Sequence, residues 1–180
     1  MIESENETAS PGEHHVPAPS RRLELWLPVL IVIVDQLTKA LVRRSLPLHT
    51  SVTLVPGLLD FTHVRNTGAA FGILNSADFP FKTVVIAVVA TAALIGVGLY
   101  AASLAHHQLI ARIGLALIIG GAAGNLLDRI ASGSVVDFVD VYWHGYHFWA
   151  FNVADSAITV GVAIMMLDML GVGTHVSKTV

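Results

Sequence analysis

Hydrophobic and polar positions divide this chain into long apolar runs separated by two mixed connections. The cleanest run is Thr83 to Leu104, which has no charge in it, and Leu109 to Leu127 is nearly as apolar, broken only by Arg112. Ala157 to Val172 carries Asp168 near its far end, and Leu25 to Val42 is interrupted by Asp35, Gln36 and Lys39. About 20 apolar residues suffice to span a bilayer as a helix, so the pattern predicts four spans over about 25–42, 83–104, 109–127 and 155–172. Of the connections, Arg43 to Lys82 holds two short alternating pieces, Ser51 to Val55 and Leu59 to Val64, on either side of Pro56-Gly57. Alternation flanking a turn dipeptide predicts a β-hairpin. The second connection, Arg129 to Ala154, is rich in aromatics (Phe138, Tyr142, Trp143, Tyr146, Phe148, Trp149, Phe151), which favour the membrane–water boundary. With four spans, both connections emerge on the same side, opposite the termini.

Composition supports this layout. Hydrophobic residues make up 54% of the 180 and charged residues 13%, about half the charge of an ordinary soluble domain, and the mean hydropathy is +0.68. A net charge of −3 offers no basic face to nucleic acid. The absence of cysteine excludes disulfides, thiolate nucleophiles and cysteine-ligated metals. Residues 1–20 hold four glutamates, two histidines and three prolines and read as a disordered acidic tail. Positive charge does not orient the bundle. Arg21, Arg22, Arg112 and Lys178 lie on the side of the termini, against Arg43, Arg44, Arg65, Lys82 and Arg129 on the other.

In so apolar a chain, ionisable groups beside the spans mark candidate chemistry. Four clusters stand out. In Asp35-Gln36-Leu37-Thr38-Lys39, Asp35 and Lys39 share a helix face, and a self-neutralising pair that lets the span insert accounts for them equally well. Arg65-Asn66-Thr67-Gly68-Ala69-Ala70-Phe71-Gly72 combines small residues with a donor–acceptor amide, or simply turns the chain. Gly120-Gly121-Ala122-Ala123-Gly124 permits close helix packing. That packing does not explain Asn125, Asp128 and Arg129, which follow it on one helical face. Asn152 and Asp155, in Phe151-Asn152-Val153-Ala154-Asp155, suit ordinary capping of the last span. Asp137 adds a carboxylate at the same membrane face.

Two carboxylates brought close cannot both ionise; they share a proton, and one activates water while the other polarises a carbonyl. Asp128, Asp140 and Asp35 compete with Asp137 and Asp155 for this role, and sequence physics does not choose among them. A relay of aspartates in a small proton-coupled transporter or channel subunit is the alternative, and it requires carboxylates spread through the membrane depth. No metal-binding spacing, nucleophile elbow or phosphate loop is present in the sequence.

In this order, DQLTK, RNTGAAFG, GGAAGNLLDR with GSVVDF, and FNVADSAITVG resemble the motif set of lipoprotein signal peptidase (signal peptidase II), a bacterial family, over Leu23 to Leu170. The resemblance implies an α-helical membrane protein with four transmembrane helices and a small extracytoplasmic β-sheet cradle over Arg43 to Phe71. It implies a peptidase domain over 21–172, a cytoplasmic tail at 1–20 and another at 173–180. The implied enzyme is an intramembrane aspartyl endopeptidase of the bacterial inner membrane, monomeric, with cytoplasmic termini, its site at the outer face and no cofactor or metal. It removes the signal peptide from diacylglyceryl prolipoproteins before the lipidated cysteine, with membrane lipid as its other partner. By motif, the catalytic pair falls on Asp137 and Asp155. Supporting or substrate-binding roles fall on Asp35, Lys39, Asn66, Gly68, Asn125, Asp128, Arg129, Asn152 and Ala154. The positive end of the last helix favours a charged Asp155, leaving Asp137 to hold the shared proton.

Overall fold

In lipid the polar backbone must satisfy its own hydrogen bonds, which helices do within one segment, and the described residues form four of them. A computed structural model describes residues 22–68, 79–105 and 108–171. Residues 1–20, 173–180 and 69–72 of the second cluster, with their expectations, lie outside that set. The helices are α1 (Arg22–Ser45), α2 (Lys82–Ser103), α3 (Leu109–Ser132) and α4 (Val153–Met169). Three of them, over Leu25–Ser45, Lys82–Ser103 and Leu109–Ser132, are long and apolar enough to cross a membrane. The fourth has 17 residues, about 26 Å at 1.5 Å per residue, somewhat short of a hydrocarbon core of about 30 Å. Among the described residues, three helices meet the criterion of length and apolarity, and the fourth expected span does not.

The third helix is the axis, packing against each of the other three. Its glycines make this possible. A Cβ on Gly120 would come within 2.9 Å of the Pro28 backbone in α1, and one on Gly161 in α4 would come within 2.6 Å of the Gly114 carbonyl. Gly121 sits against the backbone of Ala154 at the start of α4. Removing side chains from one face lets backbones approach, the usual device where lipid gives helices no hydrophobic reason to associate. The third helix also runs past its expected end at Leu127, through the polar residues to Ser132. There Gly133 takes the left-handed conformation (φ +73°) and donates its N–H to the Arg129 carbonyl.

The expected hairpin is present as β1 (Ser51–Val55) and β2 (Leu59–Asn66), turning at Gly57 with φ +78°. The sheet is larger than the sequence reading, which confined it to Arg43–Phe71. Val135–Trp143 forms β3 and Tyr146–His147 forms β4, giving an antiparallel order β1-β2-β3-β4. Val42 of α1, with Val136 and Phe138 of β3, makes a buried cluster onto which Phe61, Val139 and Val153 pack. This cluster fixes the sheet against the end of α1 and the start of α4.

Candidate functional site: two aspartates joined through Asn152

The residues singled out by motif meet where α1, α3, the start of α4 and the root of β3 converge. In α1, Asp35 and Lys39 are four apart and fully buried, and Lys39 Nζ lies 2.8 Å from Asp35 Oδ2. The pairing reaches further than self-neutralisation. Lys39 Nζ also donates to Asn125 Oδ1 at 3.0 Å and pairs with Asp128 Oδ2 at 2.9 Å. The ammonium thus has two hydrogen bonds and a second ion-pair partner, which offsets the cost of burying its charge. Arg43, one further turn along α1, lies 2.7 Å from Asp128 Oδ1. Two carboxylates and two cations make a neutral set between α1 and α3.

From that set, Asn125 faces the start of α4. Its Nδ2 donates to Asp155 Oδ1 at 2.7 Å. Asp155 lies in the first turn of α4, where Asn152 is the N-cap. The Asn152 Oδ1 accepts the Asp155 N–H at 2.9 Å, and Asp155 Oδ2 accepts the Asn152 N–H at 3.4 Å. This is a reciprocal capping box. Capping was expected for these two residues, and the resemblance implied a supporting role for Asn152. Its Nδ2 donates to Asp137 Oδ1 at 2.7 Å, so one amide holds both aspartates. Asn66, at the end of β2, donates its Nδ2 to Asp137 Oδ2 at 3.2 Å.

Backbone groups complete the site. The Ala154 N–H donates to Asp35 Oδ1 at 3.0 Å, tying α1 to the start of α4. The Gly68 N–H donates to Asn66 Oδ1 at 2.9 Å, while its carbonyl accepts from Arg129 Nη2 at 2.8 Å. Every expected site residue is therefore brought into one connected group. Asp140, a competitor for the pair, is not: it pairs with His147 Nδ1 at 2.8 Å and faces Asp60 across the sheet. Sequence reasoning missed Arg43, counted only as a topology charge, and Gln36, whose Nε2 donates to Asp35 Oδ2 at 3.1 Å and to the Gly124 carbonyl at 3.2 Å. The spacing of Asp35, Lys39 and Arg43, four apart each time, was the signal for Arg43.

Asp137 is buried and close to the charge of Asp155, and these push its pKa up to about 7 despite the opposing hydrogen bonds from Asn152 and Asn66 and the nearby Lys39. Among the described residues no hydrogen bond joins the two carboxylates directly. They are linked through Asn152, which leaves each with an edge not used by that link. Such a pair suits a reaction needing one protonated and one ionised carboxyl group. Asp35, Asp128, Asp137 and Asp155 gather in one group at the start of α4 rather than through the bundle's depth, so the transporter-relay reading is not supported.

Comparison with known proteins agrees with the geometry. The family Signal peptidase (SPase) II matches residues 27–171. A protein named lipoprotein signal peptidase from Geobacter metallireducens is 45% identical, over 84% of this chain and 93% of that protein. One of the same name from Shewanella piezotolerans is 43% identical, over 86% of this chain and 89% of its own length. A solved structure described as a bacterial membrane enzyme superposes with a TM-score of 0.76 at 30% identity, covering 88% of this chain and 94% of the other. The chain belongs to the Signal peptidase (SPase) II family, aspartic peptidases of the membrane.

Proposed function

We propose that this protein removes the signal peptide from diacylglyceryl prolipoproteins, cutting before the lipidated cysteine, with Asp137 and Asp155 as the catalytic pair. The observation that carries the reading is the Asn152 side chain, which bonds Asp137 while capping the turn that holds Asp155. Asp155, at the positive end of α4 and bonded by Asn125, acts as the ionised base and takes a proton from water. Asp137 gives its proton to the scissile carbonyl oxygen as the new C–O bond forms. Collapse of the gem-diol intermediate breaks the C–N bond, as one of its hydroxyls returns a proton to Asp137 and Asp155 passes its proton to the leaving amine. Asp35, Lys39, Asp128 and Arg43 act as positioning residues, holding Asn125 and the start of α4. Asn66, Gly68 and Arg129 form the wall on the β2 side.

The bundle is read as 21–172 with α4 as a fourth span, termini cytoplasmic, and the site at the outer face of the bacterial inner membrane, in a monomer. An apolar groove of about 600 Å³ between α2 and α3, lined by Val84, Ala87, Val88, Ala92 and Ile95 with Arg129 at its end, supports a lipid-bearing substrate. Burial of acyl chains contributes about 0.8 kcal/mol per CH₂. The test is incubation of purified protein with a diacylglyceryl prolipoprotein, following release of the signal peptide. Cleavage by wild type and its loss in Asp137→Asn and Asp155→Asn is the expected result. Cleavage that persists in both variants overturns the assignment of the pair.

A further inference from the structure

Between the Gly57 turn and Asn66, β2 leaves regular pairing with β3 once. Leu59, Asp60 and Phe61 stand opposite Val141, Asp140 and Val139, while Val64, Arg65 and Asn66 stand opposite Asp137, Val136 and Val135. From Phe61 to Val64, β2 takes three steps where β3 takes two, so Thr62 and His63 together face Phe138. This is a β-bulge, a device that re-aims the side chains beyond it.

Strand side chains alternate between faces, so one extra residue decides which of them reaches a given face. With the bulge, Asn66 shares the face of Val64 and Asp137 and lies diagonally across from Asp137, to which it donates at 3.2 Å. Were the pairing of Phe61 with Val139 to continue without a bulge, His63 would stand opposite Asp137. Arg65 would then share the face of Asp137, and Asn66 would turn to the other side. The bulge therefore gives Asp137 a neutral amide as its strand neighbour in place of a guanidinium.

The bulge is held from the end of α1. His63 is only 5% exposed, and three of its groups bind the connection from α1 to β1. Its N–H donates to the Thr50 carbonyl at 3.0 Å, its carbonyl accepts the His49 N–H at 2.8 Å, and its ring Nδ1 lies 2.8 Å from the Leu46 carbonyl oxygen. A carbonyl only accepts, so Nδ1 carries the proton. Nε2 is left buried with no hydrogen-bond partner among the described residues. An apolar side chain would fill the same place without that unsatisfied nitrogen, so packing alone does not account for histidine here.

We propose that His63 is a positioning residue of the site: by tying the bulge of β2 to the end of α1, it keeps Asn66, and not Arg65, beside Asp137. The effect on rate rests on the catalytic assignment of Asp137, whereas the strand register is independent of that reading.

The chain has no cysteine, so an introduced pair reports the register directly in purified full-length protein. Directly opposed strand residues have Cα atoms about 4.5–5.5 Å apart, within the range a disulfide spans. Arg65→Cys with Val136→Cys is expected to cross-link under mild oxidation, and Arg65→Cys with Val135→Cys is not. Adding His63→Val is expected to shift cross-linking to the second pair. His63→Asn, whose amide still donates to the Leu46 carbonyl, is expected to keep it at the first. In a peptide-release assay, the alkaline inflection of kcat/KM for His63→Val is expected below that of wild type, because Arg65 then favours ionised Asp137. Arg65→Gln added to His63→Val is expected to bring the inflection back. The other charges acting on Asp137, those of Asp155, Lys39 and Arg129, are unchanged in all these proteins. An unaltered register in His63→Val overturns the proposal, as does an unmoved inflection with activity lowered equally at every pH. Should His63→Val not fold, His63→Gln, which lacks a donor at the Nδ1 position, carries both measurements. The cross-links need no substrate, so their failure is separate from failure of the proposed reaction.

Discussion

Asn152 concentrates two structural duties in one side chain, and substitution separates them. Serine keeps an N-cap oxygen for the Asp155 N–H but does not carry a donor amide to Asp137. Asn152→Ser is therefore expected to keep the thermal midpoint near wild type while lowering kcat at least 10-fold. Asn152→Ala is expected to lower both, with a stability loss of about 1 kcal/mol for the cap alone. Thermal melts in detergent beside a peptide-release assay separate the two outcomes. Equal kcat for the serine variant and wild type would remove the bridging role. That Asn152 caps a helix was legible from Asn-x-x-Asp before an apolar run. That it also holds Asp137 was not, because the contact depends on where the root of β3 comes to rest.

At Asp137 the same scale carries a pH dependence. Its folded pKa, about 7, lies above the ordinary carboxylate value of about 4. The folded state thus keeps a proton that the unfolded state gives up between these values. Stability contributed by this site is complete below about pH 4 and lost as pH rises through about 7. Asp137→Asn, which never ionises, is expected to melt above wild type at pH 8, with the gap closing toward pH 4. In the proposed mechanism the protonated Asp137 is the competent form. The value of kcat/KM is expected to fall on an alkaline limb inflecting near pH 7. A flat profile from pH 6 to 9 would contradict the proton assignment.

Between elements, the joints are a neutral charge set and a strip of missing side chains. Lys39 is enclosed by Asp35, Asn125 and Asp128. Replacing it by methionine leaves two buried carboxylates with Arg43 alone, and breaking a buried ion pair from one side costs about 3–5 kcal/mol. Lys39→Met is expected to destabilise by that order. Asp35→Asn added to it is expected to restore part of the loss, a coupling that a double-mutant cycle measures. Gly124→Ala tests the strip: its Cβ would meet Asp35 Oδ2 at 2.6 Å, whereas Gly96 and Gly98 on α2 have nothing within 4 Å. Gly124→Ala is expected to destabilise by about 1–3 kcal/mol. Gly98→Ala is expected to be neutral or stabilising, and equal melting of the two variants would count against close packing at this strip.

For the molecule as a whole, the three spans α1 to α3 and the hairpin at Pro56-Gly57 were legible because each depends on local periodicity. The third strand was not. Val-Val-Asp-Phe-Val-Asp-Val-Tyr-Trp reads as an aromatic connection until β2 is available to pair with it, a relation between segments some 70 residues apart. The fourth helix shows the reverse case: its apolar run is clear, but its 17 residues are brief for a span. Arg43 was visible as a charge on the face of Asp35 and Lys39, but its partner Asp128 lies on another helix, 85 positions away.

The bond from the Ala154 N–H to Asp35 Oδ1 joins residues 119 positions apart, and this bears on how the protein is made. A chain emerging from the ribosome presents α1 well before α4 exists. Until then Asp35 has Lys39 as its local partner but lacks the Ala154 amide. Lys39 acquires Asn125 and Asp128 only when α3 arrives. Asp155 and the cap that aligns Asp137 come last, in the final helix. The nascent chain therefore carries no assembled aspartate pair, and the arrangement proposed to react appears only on completion of the bundle.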